Sequence, residues 1–488
     1  MTEFDAEYDV VVIGSGASGL SAALQAVNNG QSVAVLEKEA RTGGSSSFAE
    51  GHAAFESDEQ EKRGIRVTKE EGYWAYLSYS HWRCDPALVS RYVDNAATTI
   101  RKLRTELGVE YEDVTITAPD QPGELVTWHL PKGEVAHVIE LMEARCAETG
   151  VELFLETPAQ RILEDNGRVS GVVATDSDGE EVVLGAKAVV VGTGGYANNP
   201  EMLDRYAKQP IGGRAINVGG PGNTGDGITM LKDAGNVEND NIGTLLLFPL
   251  MRGKTITSHV NNAGMQPYLW VDASGRRFTN EEAGLNFGNA GDIVAALPGS
   301  FYWAVLDQGH IDKLVSEGNE VGLGVYVHNY EKLVNLPAEI EADAADRSRT
   351  NVVGADTVED LARGIGVRPE ALAGEVETYN EAARTGVDGR FRKRARYLRP
   401  LDRAPFYAIK MEPGIMITMG AMRIDDRMRA LDENGEVIDG LYVVGCDAGG
   451  LFGESYQLTV PGSANGFAFT SGWLAADDIA SRIAAGEL

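Results

Sequence analysis

The apolar run Tyr8-Asp9-Val10-Val11-Val12-Ile13 leads directly into Gly14-Ser15-Gly16-Ala17-Ser18-Gly19, and Glu37 follows eighteen residues after Gly19. A strand that stops at G-x-G-x-x-G and continues as an amphipathic helix opens a βαβ unit whose helix N-terminus holds a dinucleotide pyrophosphate. Gly14 provides the tight turn, Gly16 lets backbone approach the phosphates, and Gly19 lets the helix pack on the strand, with Ser18 in the same turn. Glu37 closes a second strand, Ser32 to Leu36, where a carboxylate can accept both ribose hydroxyls.

The next residues specify the dinucleotide. Glu37-Lys38-Glu39-Ala40-Arg41-Thr42-Gly43-Gly44-Ser45-Ser46 places further glycines and hydroxyls near the same phosphates. A nicotinamide dehydrogenase needs no such second loop, whereas an extended FAD lying along the domain does. Lys38, Gly44, Ser45 and Ser46 are therefore candidate FAD contacts.

Further along, the pattern predicts helices over 17–29, 85–109 and 133–149, the last ending at Gly150 before a strand from Val151 to Leu155. Asn166-Gly167 and Asp178-Gly179 turn an antiparallel meander that runs into the buried strand Ala188 to Val191. Thr193-Gly194-Gly195 follows, and Gly222 to Gly227 opens another helix in which Asp226 can bond cofactor hydroxyls. From about 250 to 405 the pattern is irregular, with no second nucleotide fingerprint. Asn434-Gly435, the strand Leu441 to Gly445 and a last helix from Phe467 to Ala485 then return to the first style. The expected fold class is α/β: a Rossmann-type FAD-binding domain in two parts, 1–250 and 406–488, with an inserted α+β capping domain at 251–405.

Composition removes several functions. Lys and Arg number 43 against 73 Asp and Glu, a net charge of −30, which disfavours nucleic acid and anionic membranes. Three scattered cysteines, Cys84, Cys146 and Cys446, make neither a disulfide framework nor a metal-ligand pattern, so no metal is expected. They suit a reducing cytoplasm. The acidic N-terminus lacks an export signal, and no apolar run approaches 18 residues.

Several motifs in one order resemble the fumarate reductase and succinate dehydrogenase flavoprotein superfamily, including its 3-ketosteroid dehydrogenase branch. The carriers are the first fingerprint, Gly43 to Ser46 with Gly51, Thr193 to Tyr196 followed by Asn199 to Met202, Thr224 to Gly227, Gly275 to Glu281, and Thr418 to Gly420. The resemblance implies FAD stretched between Gly14 and Gly466, with Gly194 and Asp226 along it and the helix near Ala464 and Asn465 aimed at the pyrimidine ring. Membrane-bound relatives attach flavin through a histidine, and Ser45 stands there, which implies non-covalent FAD. Where relatives carry Glu or Asn after the last strand's glycine this chain has Cys446 and Asp447, and Asp447 is a substitute for the ribityl contact.

On the substrate side the match breaks down. The family's dicarboxylate clamp of histidines and arginines corresponds here to Ile417, Gly284, Ile311 and Thr459. A buried carboxylate without a cationic partner is too costly, so the expected substrate is neutral and aromatic or polycyclic, resting among Met416, Ile417, Ile311, Tyr268 and Tyr456, with Tyr326, His328 and Tyr330 alternating along the cap like strand residues. Flavin-dependent reduction also needs a proton donor. Tyr268 is the first candidate, then Tyr456, His310 and Glu281, although Glu281 also suits an ion pair with Arg276 or Arg277. The lost clamp, length and acidity are similar to the superfamily's polyphenol-reducing members, which implies reduction of an isoflavonoid-type molecule. Ketosteroid-type desaturation, reduction of an activated alkene and a flavin electron relay are the alternatives. The electron donor stays open.

Overall fold

The computed structural model describes residues 3–117, 123–209, 211, 214–324, 326–346 and 351–488. At its centre is the strand Ala6–Ile13, paired in parallel with Val33–Leu36 on one side and Glu181–Val191 on the other. Val10, Val11 and Val12 are wholly buried, as a parallel sheet covered on both faces requires. Glu152–Phe154 extends the sheet beyond Val33–Leu36, and Val437–Val443 joins it beyond Glu181–Val191. The expected meander is present: Ala159–Asp165, Arg168–Thr175 and Glu181–Val191 pair antiparallel in that order.

The helix Ala17–Asn28 packs against the C-terminal helix Ser463–Ala485 beneath this sheet. The two come so close that a Cβ on Gly472 would lie 2.2 Å from the Ser18 carbonyl oxygen. Both ends of the chain thus build one nucleotide-binding half. The predicted helix over 85–109 spans Pro86–Leu107; Asp85 accepts from the Ala87 and Leu88 amides, and Gly108 closes it in the left-handed region. That over 133–149 spans Glu134–Thr149.

A second sheet is organised on the 14-residue strand Phe406–Met419. Its first half pairs with Tyr302–Asp307 and Val352–Ala355, its second with Thr244–Leu250. This sheet draws strands from both sides of residues 251 and 405, because one long strand runs from the cap into the flavin half and carries Met416 and Ile417 there. The cap keeps its own cores, one around Tyr268, Trp270 and Tyr302 and one around Leu361, Leu372 and Tyr379. A small third sheet, His52–Ala53, Trp128–Pro131 and Tyr111–Thr115, completes the wall near the site. Tyr326, His328 and Tyr330 do not form the expected strand: one isolated bridge, Leu323 to Val327, closes a turn there, and Tyr330 is 58% exposed.

Candidate active site

Two adjoining cavities meet where the Gly44–Phe48 turn faces the C-terminal helix. The larger, about 340 Å³, follows the first fingerprint and is lined by Gly14, Gly16, Ser18, Glu37, Lys38, Gly44, Gly194 and Asp226. The smaller, about 130 Å³, lies between the flavin half and the cap. Ser45, Ser46, Phe48, Cys446 and Ala468 line both, so the boundary is a shared wall.

The larger cavity suits the dinucleotide inferred from the sequence. Gly14 has φ of +100°, and a Cβ there would sit 2.4 Å from the Gly192 carbonyl oxygen. A Cβ on Gly19 would strike the Gly14 oxygen at 1.9 Å, whereas one on Gly16 would meet nothing closer than 3.7 Å, because that side opens to the cavity. The helix Ala17–Asn28 begins at Gly16 without a side-chain cap, leaving its N-terminal dipole available to an anion. These residues fit the pyrophosphate of FAD, which supplies hydride chemistry when bound.

The polar residues are tied to one another. Glu37 is 8% exposed and accepts from the Ser15 amide at 3.0 Å and the Glu39 amide at 2.9 Å. Lys38 pairs with Asp226 and donates to Thr224 at 2.6 Å. Ser45 accepts from the Gly220 amide at 2.8 Å and Asn223 at 2.6 Å, and Ser46 from the Ala17 amide at 3.2 Å. Gly51 lines the smaller cavity, and a Cβ on it would meet the His129 oxygen at 2.2 Å.

Asp447 is placed differently from the sequence expectation. Its fully buried carboxylate accepts from the Thr193 hydroxyl and the Gly195 amide, both at 2.9 Å, and lines neither cavity. Burial holds its pKa above the usual carboxylate range. Cys446 faces the cavities instead, and burial pushes its thiol up to about 12.

The four proton-donor candidates separate. Tyr456 lines the smaller cavity, together with Ala464 and Asn465 from the first turn of the C-terminal helix. Its hydroxyl accepts from the Ala464 amide at 3.4 Å, its ring stacks on Phe452, and burial pushes its phenol up to about 12.

Tyr268, His310 and Glu281 do not line it. Tyr268 is 2% exposed and packs edge-on to His310 with ring centroids 4.4 Å apart. His310 bonds Asp307 through Nδ1 at 2.7 Å and is held neutral chiefly by burial. Glu281 takes two bonds from Arg277, at 2.7 and 2.8 Å, and Lys393 lies at 3.2 Å, so it belongs to a buried ion cluster with Asp388. The cap pattern suggests aromatic and acidic residues facing the flavin, but apolar packing takes Tyr268 into the cap's own core and ion pairing takes Glu281 there. Ile311 and Gly284 likewise pack inside the cap.

Of the positions read as lost cations, only Ile417 faces the cavity, next to Met416. Among the described residues the cavity wall holds no lysine, arginine or histidine. Tyr326 reaches the wall and donates to the Phe48 oxygen at 2.5 Å. The sequence reading missed Glu50, Asn286 and Gln457, also in this wall. Glu50 was within reach of that reading, lying between two loops already marked, whereas Asn286 and Gln457 carry no local pattern.

The fold and site define a flavin-dependent oxidoreductase. Residues 9–462 match the model of the FAD binding domain family, and the chain belongs to it. It is 35% identical over 478 residues to a vinyl phenol reductase of Lactiplantibacillus plantarum, covering 95% of this chain and 94% of that protein. It is 27% identical to a 3-oxosteroid 1-dehydrogenase of Mycolicibacterium smegmatis, covering 98% of each. Among solved structures, the open conformation of a flavocytochrome c3 fumarate reductase superposes with a TM-score of 0.76 at 25% identity, covering 98% of this chain and 79% of that one. No helix among the described residues is long and apolar enough to cross a membrane.

Proposed function

We propose that this enzyme reduces a neutral phenolic molecule seated against the flavin, with Tyr456 as the proton donor. The carrying observation is the cavity wall: mostly apolar side chains with two phenols, neutral amides and one carboxylate, Glu50, and no cation among the described residues. A dicarboxylate placed there would lose its hydration without gaining a partner. Tyr456 supports the reductive direction. It lines the cavity, and burial pushes its phenol up, so it has a proton to give near neutrality.

Two substrates fall within this class. In the first, the 4-hydroxyl of tetrahydrodaidzein leaves as water after taking the donor's proton, hydride replaces it on carbon, and the product is equol. The lost clamp and the similarity to polyphenol-reducing flavoproteins support this reading. In the second, a vinyl phenol gains hydride on one alkene carbon and a proton on the other. The 35% identical relative supports that reading, as does a cavity of about 130 Å³, close to the roughly 150 Å³ of an apolar cavity that takes up one benzene ring. Cytoplasmic location is part of the proposal, supported by three free cysteines.

Mass analysis of products from chemically reduced enzyme incubated anaerobically with each compound tests the proposal. Equol or 4-ethylphenol identifies the substrate type, and release of neither, with rapid formation of succinate from fumarate, refutes the neutral-phenol reading.

A further inference from the structure

We infer that Glu124 is a positioning residue of this site: its carboxyl group takes one bond from each side of the cavity wall, from Thr117 and from the cap's Asn286, and so fixes how the cap meets that wall. The inference concerns how the wall is held, and it stands or falls apart from which substrate lies behind it.

Three observations carry it. Thr117 and Asn286 both line the smaller cavity, and Glu124 joins them through different oxygens: Oε2 accepts from the Thr117 amide at 2.7 Å and Oε1 from Asn286 Nδ2 at 2.9 Å. Asn286 is held at its other end too, since its Oδ1 accepts from the Gly288 and Asn289 amides at 3.0 and 3.4 Å and caps the helix Phe287–Ala296. A pull on Glu124 therefore reaches the first turn of a cap helix. On the opposite side the Leu125 amide donates to the Thr459 oxygen at 2.8 Å, anchoring the acid's own backbone, and Asn329 of the cap reaches the Thr117 oxygen at 3.5 Å.

A substrate reaches an enclosed cavity when cap and wall part, so a group bonded to both sides sets access. Burial holds the Glu124 carboxyl up to about 7, and only hydrogen bonds, from Thr117 and Asn286, pull it back down. An opened wall returns the acid to water and to its ordinary value of 4.5, so between about 4.5 and 7 the closed wall carries a proton that the open one lacks. The resulting gain in closure is whole below that range and lost as pH rises through about 7. The other ionisable groups on the elements meeting here are Asp113 and Glu282, paired with Arg63 and Arg394, then His328, Glu331 and Asp292, the last held up to about 6 by burial. Glu50, Tyr326 and Tyr456 lie elsewhere in the wall.

Hydrogen–deuterium exchange of the oxidised holoenzyme, at roughly pH 6 and pH 8 and corrected for the intrinsic pH dependence of amide exchange, reads the tie through a peptide spanning the helix Phe287–Ala296. The cap helix Pro369–Thr385 is the reference. In wild type the first peptide is expected to be roughly tenfold better protected at the lower pH, relative to the reference. Glu124→Gln, which cannot titrate, should show equal protection at both, with flavin content unchanged. Asp292→Asn and His328→Gln, which leave Glu124 in place, should keep the wild-type change. A wild-type profile that is flat between the two pH values overturns the inference without recourse to any variant. So does a change that persists in Glu124→Gln, because it then belongs to another group.

Discussion

The Tyr456 hydroxyl lies 3.4 Å from the backbone nitrogen of Ala464, in the first turn of the helix Ser463–Ala485. That bond orients the phenol in the wall shared by cap and flavin half. Tyr456→Phe is therefore expected to lower the rate of substrate reduction by about 10²- to 10⁴-fold with flavin content unchanged, the usual range for loss of a general acid. Single-turnover reoxidation of the reduced variant measures it. An unchanged rate removes Tyr456 as the donor.

Tyr268 gives the matched control. Its hydroxyl is buried with no hydrogen-bond partner among the described residues, and its ring packs on His310 outside the cavity. Tyr268→Phe should leave turnover within about twofold and stability unchanged or slightly raised, because removing an unsatisfied buried hydroxyl costs little. Thermal melting and steady-state kinetics on the same preparation check both.

The difference between these tyrosines shows where sequence legibility ended. The first fingerprint was readable because Gly14, Gly16 and Gly19 act through backbone geometry a few residues apart, and the structure puts each in its expected turn. Tyr268 and Tyr456 look alike in the chain. Only the packing of the cap's strands and helices decides which ring faces the flavin half, and that depends on contacts far apart in sequence. Asp447 and Cys446 make the same point: adjacent residues point to different sides, and the three-residue turn Gly445–Asp447 sends the acid inward to Thr193 and Gly195.

The cap ion cluster carries stability rather than chemistry. Glu281→Gln leaves Arg277 and Lys393, both buried, facing fewer negative charges. A loss of about 3–5 kcal/mol of folding stability is expected, as for breaking a buried pair. Denaturant unfolding measures it, and protein that remains folded should keep its flavin spectrum.

Acid sensitivity follows from two buried imidazoles behind the cavity wall. His52 is pushed down to about 3 by burial and then by His129, and burial pushes His129 down to about 4. The unfolded chain takes up protons near 6.5 while the folded one does not, so these sites cost stability as pH falls from about 6.5 towards 4. Folded His129→Gln enzyme should lose melting temperature less steeply over that window than wild type. Equal slopes contradict the assignment.

Gly14 ties the flavin site to the fold. Its φ of +100° and the Gly192 oxygen 2.4 Å from any Cβ leave no room for alanine. Gly14→Ala should yield protein with little or no bound FAD, read from the ratio of flavin to protein absorbance.

The proposed reaction places a neutral phenol beside FAD in a cavity whose described residues include no cation. Stopped-flow reoxidation of anaerobically reduced wild-type enzyme tests it most directly, with 4-vinylphenol, tetrahydrodaidzein, a 3-ketosteroid and fumarate compared at equal concentration. Fast reoxidation is expected from at least one of the two phenols, and none above background from fumarate. Fast reoxidation by fumarate, with both phenols inert, contradicts it.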